Sequence, residues 1–208
     1  MHILVMAATA AEIPALMANH KNVDTVISGV GVPAALYALQ KKIQQQPYDV
    51  VIQAGIAGTV VSYLPMGEVV LVSKDTFADI GMEEAGVFTP LHKTIFTNSN
   101  DFPYTDGWLI NDGPYIHNST LPLVKGVTIN KVSDSTLQAQ QLLQHFSPEI
   151  ESMEGAALHY VCLQQKIPFM QIRAISNLTG VRDKSKWEIK KAIENLNYEL
   201  MKLIEILV

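Results

Sequence analysis

Residues Ile150 to Asn177 run IESMEGAALHYVCLQQKIPFMQIRAISN. A strand ends at the pair Met153-Glu154, and that pair opens a helical segment over Glu154–Gln165. The apolar run Phe169–Ile175 then forms a second strand ending at Ser176-Asn177. Working outward, short apolar runs with β-branched residues recur at Ile3–Met6, Val23–Ile27, Val50–Gln53, Val69–Val72 and Val127–Ile129. Several lack polar alternation, as strands covered on both faces do. Between them lie helical segments at Val32–Gln45, with Ala35, Leu36, Leu39 and Ile43 on one stripe, and at Thr136–His145. The last, Lys186–Leu207, has one apolar face, the pattern of a helix laid on a sheet. Strand–helix alternation of this kind predicts an α/β fold, a three-layer α/β/α sandwich around a mostly parallel central mixed sheet.

One stretch breaks the rhythm. Residues 81–122 hold Gly86, Pro90, Pro103, Gly107, Gly113, Pro114 and Pro122, and are expected to be an insertion with its own short strands and turns, near a site or an interface. With no repeat, low-complexity segment or linker in the 208 residues, a single domain over 1–208 is expected. Twenty acidic against 15 basic side chains give a net charge of −5, which repels phosphate backbones and anionic lipid, so neither nucleic acid nor membrane is an expected partner. Cys162 is the only cysteine and sits among apolar neighbours, a core residue rather than a redox or metal ligand. The six histidines show no paired ligand spacing, so no metal and no cofactor are expected. The N-terminus lacks a signal-peptide pattern and no apolar run reaches bilayer length, which predicts a cytoplasmic protein. The sequons at Asn118 and Asn177 are then chance matches.

Four segments lie at strand ends, where open α/β sheets place their ligands. After the first strand comes Ala7-Ala8-Thr9-Ala10-Ala11-Glu12. Glu12 reads plainly as an exposed first-turn glutamate complementing a helix dipole; its sharper reading is a carboxylate facing a cleft, a general base for water. Ser28-Gly29-Val30-Gly31 and Gln53-Ala54-Gly55-Ile56-Ala57-Gly58 bring glycines that either relieve tight turns or let backbone approach a ligand. Neither has the P-loop arrangement. Met153 alone reads as core and Glu154 as a helix-start charge, but with Glu12 and Asn177 they bring two carboxylates and an amide to one edge of the sheet.

The order Glu12, Gly-x-Gly, Ala-Gly-x-Ala-Gly, Met-Glu-Gly and Arg-Ala-Ile-Ser-Asn resembles the nucleoside phosphorylase and nucleosidase superfamily over nearly the whole chain. Within it, Glu-Ser-Met-Glu-Gly-Ala-Ala with Arg-Ala-Ile-Ser-Asn is most like bacterial futalosine hydrolases, the methylthioadenosine/adenosylhomocysteine nucleosidases being more distant. The resemblance implies a nucleoside phosphorylase-like fold, a small-molecule nucleoside substrate and a homo-oligomer, with the dimer as the expected form and residues 81–122 as the segment lent to a neighbour's pocket. It makes Glu12 the water-activating residue and Asn177 the second catalytic residue, at the purine near N7. Met153 and Glu154 become the ribose-binding pair. Ile56, Ala57 and Gly58 lie along the substrate, and Ser133, beside Val132, falls in the base-contacting segment.

Phosphorolytic relatives carry an Arg and a Ser where this chain has Gln53 and Ile56. A dianion is costly to desolvate without charge-assisted partners, so the resemblance points to hydrolysis. Asn177 narrows the base. A 6-oxopurine offers acceptors at N7 and O6, which suit an amide NH₂, whereas the 6-amino group and N7 of adenine suit a protonated carboxylic acid. The adenine-specific nucleosidases have Asp there. The expected reaction is therefore release of hypoxanthine from futalosine. Arg182, in the charged run Arg182–Lys186, is the expected partner of the benzoate on futalosine's 5′ side, against a plain reading of surface solvation. The alternatives are a nucleosidase releasing adenine from methylthioadenosine, adenosylhomocysteine or aminofutalosine, and a nucleoside-binding protein without turnover.

Overall fold

The computed structural model describes residues 1–16 and 22–207. Its strands are β1 (Ile3–Ala7), β2 (Val23–Ile27), β3 (Val50–Thr59), β4 (Val69–Asp75), β5 (Gly81–Glu84), β6 (Val87–Pro90), β7 (Leu109–Ile110), β8 (Leu123–Thr128), β9 (Ile150–Ser152) and β10 (Phe169–Leu178). The helices are α1 (Val32–Ile43), α2 (Pro114–His117), α3 (Thr136–Phe146), α4 (Gly155–Gln165) and α5 (Ile189–Leu207).

The main sheet runs β10-β4-β8-β9-β3-β1-β2, with β7 added on β4. β1–β2, β1–β3, β3–β10, β4–β8 and β8–β9 are parallel; β4–β10, β3–β9 and β4–β7 are antiparallel. This is the expected mixed sheet with one added feature. Because β10 also pairs with β3, the strands β3, β10, β4, β8 and β9 close into a ring, and β1 and β2 extend from it. β3 makes the closure. Its first half pairs with β1, while Gly58 and Thr59 at its far end take up Glu151 and Ile150 of β9. Sequence reading ends this strand at Gln53 and makes Ala54–Gly58 a turn. The structure carries it on to Thr59, because glycines at 55 and 58 let the strand curl and admit groups that a Cβ would exclude.

Helices cover both faces. Ile3, Val5, Val50, Ile52, Met170 and Ile172 point to one side, where they meet Ala192, Leu196, Leu200 and Ile204 of α5. The alternate residues Leu4, Met6, Val51 and Phe169 point to the other, against Ala35 and Leu39 of α1 and Leu158, Val161 and Cys162 of α4. That is why these strands are apolar at successive positions: period-two alternation sends neighbours into two separate cores. Each fully buried aliphatic side chain contributes roughly 1.5–3 kcal/mol. Cys162 is fully buried, as its neighbours imply.

α5 begins at Ile189, not at Lys186. Asp183 accepts from the Ser185 backbone (3.1 Å) and hydroxyl (2.6 Å), holding a short 3₁₀ turn over Lys184–Lys186. The Glu188 N–H then donates to Ser176 O at 2.8 Å. Residues 187–188 are thus tied to the end of β10, and Trp187 leaves the helix face. The insertion has its own elements, as expected: the β5–β6 hairpin turning at Ala85-Gly86, both at positive φ, then β7 and α2.

A buried polar group lies inside the ring. Asp75 accepts from the Thr76 N–H (2.8 Å), the Thr128 hydroxyl (3.0 Å) and Gln171 Nε2 (3.1 Å). α4 starts on top of it, and a Cβ at Gly155 would stand 2.2 Å from Asp75 Oδ2 and 2.1 Å from Gln171 Nε2. Only glycine lets the helix begin there. Nearby His159 is also fully buried, its Nδ1–H donating to Leu109 O at 2.9 Å.

Burial pushes the Asp75 carboxyl up to about 6 from 3.8, and pushes His159 down to about 4 from 6.5. The signs oppose. The raised Asp75 value is a penalty above pH 6 that fades as pH falls towards 3.8. The lowered His159 value is stabilisation above pH 6.5 that is lost as pH falls towards 4. The two largely cancel in the native chain. Asp75→Asn removes the first alone, so thermal melts from pH 7.5 to 4.5 are expected to show the variant losing stability more steeply than the native protein. The accumulated gap should be roughly 2 kcal/mol; parallel curves would refute it.

Candidate active site

A cavity of about 490 Å³ opens at one edge of the ring, where β1, β3, β9 and β10 end. Glu12, Ile56, Ala57, Gly58, Met153, Glu154, Asn177 and Arg182 all line it. Among the described residues, none of 81–122 does. The insertion instead walls a smaller cavity of about 150 Å³ with Phe77 and Tyr160.

Glu12 ends a 3₁₀ turn directly after β1. Its Oε2 accepts from the Thr9 N–H (2.9 Å) and hydroxyl (3.3 Å), and Oε1 accepts from the Ile56 N–H (3.2 Å). A carboxylate has about four acceptor directions, so these donors leave one. Glu12 thus caps its own 3₁₀ turn and faces the cavity, and it is buried, not the exposed first-turn residue of a helix. α5 steadies this turn from behind, Asn197 Nδ2 donating to Glu12 O at 2.9 Å.

Glu154 sits at the start of α4 with 5% exposure. Its Oε1 accepts from the Gly31 N–H (3.0 Å) and its Oε2 lies 3.6 Å from Arg173 Nη1. Gly31, at φ 91°, is where the Gly-x-Gly segment turns into α1 and aims this N–H. Arg173, on β10, is 1% exposed, and its Nη2 donates to Gln53 Oε1 at 2.9 Å. A Cβ at Gly55 would fall 2.3 Å from Arg173 Nη1 and 3.0 Å from Glu12 Oε1. The absent side chain at 55 is what admits both charged groups. Gln53 is 1% exposed and occupied with Arg173, so it lies beneath the cavity and not in its wall, where Ile56 stands.

Asn177 stands beyond a register shift near the end of β10. The Ser176 hydroxyl, 2.8 Å from Asn177 Oδ1, turns the NH₂ outward, where it also donates to Leu178 O (3.2 Å). At the rim, the Arg182 guanidinium lies 5.2 Å from the centre of the Trp187 ring, which is fixed by Nε1–H donation to Val181 O (2.9 Å).

Ser133 departs from expectation. It is buried and does not line the cavity, although Val132 does. Its N–H (3.2 Å) and hydroxyl (2.5 Å) both go to Glu151, which does. Burial pushes the Glu151 carboxyl above its usual range, against the two Ser133 donors and the Arg182 charge. Sequence reading missed Glu151, Arg173 and Trp187. The signal for Glu151 was there: it precedes Met153 by two residues at the end of a strand, which puts both on one face.

Residues 14–208 match the family model described as the phosphorylase superfamily. The chain is 30% identical over 180 residues to futalosine hydrolase from Thermus thermophilus, covering 85% of this chain and 79% of that one. It is 28% identical over 202 residues to futalosine hydrolase from Streptomyces coelicolor, covering 88% and 79%. Its fold is similar to the crystal structure of S-adenosylhomocysteine nucleosidase from Streptococcus pyogenes in complex with 5-methylthiotubericidin, with a TM-score of 0.80 at 21% identity over 100% of this chain and 98% of that one.

The buried Arg173 gives a direct test of this geometry. Arg173→Met keeps the volume and strips Glu154 of its counter-charge. Breaking a buried pair from one side costs about 3–5 kcal/mol, so urea unfolding should show a loss of that size. A loss under about 1 kcal/mol would mean that the pair does not hold the site.

Proposed function

Because the chain belongs to the phosphorylase superfamily, we propose that its cavity hydrolyses the N-glycosidic bond of a purine nucleoside, with futalosine as substrate and hypoxanthine and dehypoxanthine futalosine as products, a step of menaquinone biosynthesis. The observation that carries this is the single free acceptor direction of Glu12, in a cavity shared with Glu154 and Asn177.

The division of labour follows from the hydrogen bonds. Glu154 has one oxygen on the Gly31 N–H and the other near Arg173, which leaves acceptor directions for the 2′ and 3′ hydroxyls of ribose. Met153 packs against the sugar, and Ile56, Ala57 and Gly58 form the floor. As the C1′–N9 bond lengthens, its electron pair leaves with the base and positive charge builds on C1′ and the ring oxygen. Asn177 Nδ2, with one N–H on Leu178 O, directs its other N–H to the departing base between N7 and O6. Water attacks C1′ while Glu12 takes its proton. An amide has no proton to give up, so the base is finally protonated from solvent.

Three carboxylates, Glu12, Glu151 and Glu154, line this cavity, and its cations are the exposed rim residues Arg182 and Lys184. A phosphate dianion at C1′ would face the carboxylates, so water is the acceptor. Arg182, braced on Trp187, is placed to pair with the substrate's benzoate. No helix among the described residues is long and apolar enough to cross a membrane. We place the protein in the cytoplasm as a homo-oligomer, a dimer, with the exposed Ile95, Phe96 and Phe102 of the insertion supporting the contact surface.

Glu12→Gln keeps the size of the side chain, removes the base and gives up one of the two acceptor oxygens. Its kcat on futalosine is expected to fall about 10²–10⁴-fold in protein that circular dichroism shows folded, with a lowered melting temperature because its NH₂ faces the Thr9 or the Ile56 N–H, and adding phosphate should not accelerate the native enzyme. Native turnover by the variant, or a phosphate-dependent rate, would overturn the mechanism.

A further inference from the structure

Glu154 is held in the cavity by the Gly31 N–H at 3.0 Å, and that donor sits in a loop with wide backbone freedom. Gly29 and Gly31 both stand at positive φ, 83° and 91°. A glycine loses more conformational freedom on being fixed than any other residue. Gly31 is also the residue before α1, so it has no side chain with which to cap that helix. The first N–H groups of a helix find no partner within it. A hydrogen bond from outside the loop is needed to fix where the Gly31 N–H points.

Asn130, just beyond the end of β8, supplies it. Its Oδ1 accepts from the N–H of Val32, the residue after Gly31, at 3.3 Å. Its Nδ2 donates the other way, to Asp79 Oδ2 at 3.2 Å and Oδ1 at 3.5 Å, and its own N–H donates to Asp79 Oδ2 at 2.5 Å. Asp79 lies between β4 and β5, at the root of the insertion. Neither Asn130 nor Asp79 lines the cavity. The amide is thus used at both ends, its oxygen on α1 and its nitrogen on a carboxylate. For the helix alone an aspartate would do as well, being an equal cap with a favourable charge. It would also set one carboxylate against another at Asp79. Asparagine satisfies both ends.

We propose that Asn130, oriented by Asp79, is a positioning residue for ribose recognition: it pins the start of α1 at Val32, which fixes the Gly31 N–H and with it the carboxylate of Glu154. The proposal rests on the reading of Glu154 as the ribose-binding carboxylate. Without the pin, Gly31 is free to turn about both its dihedrals. Glu154 Oε1 then loses its donor while Arg173 still draws Oε2, and the diol meets a carboxylate spread over several orientations. Three hydrogen bonds carry the effect from the root of the insertion to the site: Asn130 to Asp79, Val32 to Asn130, and Gly31 to Glu154. Because Asn130 stands outside the cavity, its loss weakens the grip on the ribose hydroxyls and leaves the choice of base alone.

The test is an exchange of the two side chains, with two readouts. The proteins are native, Asn130→Ala, Asn130→Asp, and the double variant Asp79→Asn with Asn130→Asp, in which amide and carboxylate trade places and a donor again faces an acceptor. The first readout is hydrogen exchange of the Gly31 and Val32 amides by NMR. Both are expected to exchange faster in the single variants and to slow again in the double. The second is calorimetric affinity for a C-nucleoside analogue of inosine, whose carbon–carbon glycosidic bond resists hydrolysis, and for its 2′-deoxy form. The native preference for the ribo form is expected to fall about two- to thirtyfold in the single variants, the range of a lost helix cap, and to be restored in the double. Unchanged exchange at Gly31 in Asn130→Ala and Asn130→Asp overturns the proposal whatever the affinities are, as does a double variant no better than Asn130→Asp alone. A native protein that binds both forms equally sinks the ribose reading of Glu154, while exchange at Gly31 still decides whether Asn130 pins the loop.

Discussion

Arg173 is a cation that the fold can bury only if its charge is answered from within. At 1% exposure it has Glu154 at 3.6 Å and Gln53 at 2.9 Å. Much else depends on that pair. Gly55 has no side chain because Arg173 and Glu12 fill the space where a Cβ would be. β3 can curl there and close the ring, which brings β9 and β10 to either side of Gly58. Glu154 is held at the mouth of α4 between Arg173 below and the Gly31 N–H beside it. A buried ion pair is weak evidence of stability. Here it fixes the position of a carboxylate that the proposed chemistry needs.

The layers were legible because their cause is local. Ile3–Met6 and Phe169–Ile175 are apolar at successive positions, and only burial on both faces accounts for that. Glu12, Glu154 and Asn177 were also legible, because each stands where a strand ends and the resemblance lines them up. What was hidden depends on contacts distant in sequence. Nothing near Gln53 announces that it turns inward to Arg173, 120 residues later. The glycines at 55 and 58 look like turn formers until the groups that occupy their missing side-chain space are known. Ser133 was expected at the base itself, and the structure puts it behind Glu151, outside the cavity wall. Lys186 looks like helix until the Asp183 turn and the hydrogen bond from Glu188 to Ser176 are seen to delay it.

The cavity divides its three carboxylates by what already binds them. Glu12 is nearly saturated by donors of its own turn and of β3, Glu154 shares its charge with a buried guanidinium, and Glu151 has only a serine. On the proposed reading these surroundings suit Glu12 to a single water and Glu154 to a diol. The insertion stands apart, and its exposed apolar residues belong to a different surface of the same molecule.

The most direct measurement of the central claim is to offer the protein futalosine and aminofutalosine together and to follow by chromatography which base appears first. The account predicts early hypoxanthine, with adenine trailing by at least about tenfold. Adenine released first, or neither base released by folded protein, would contradict it.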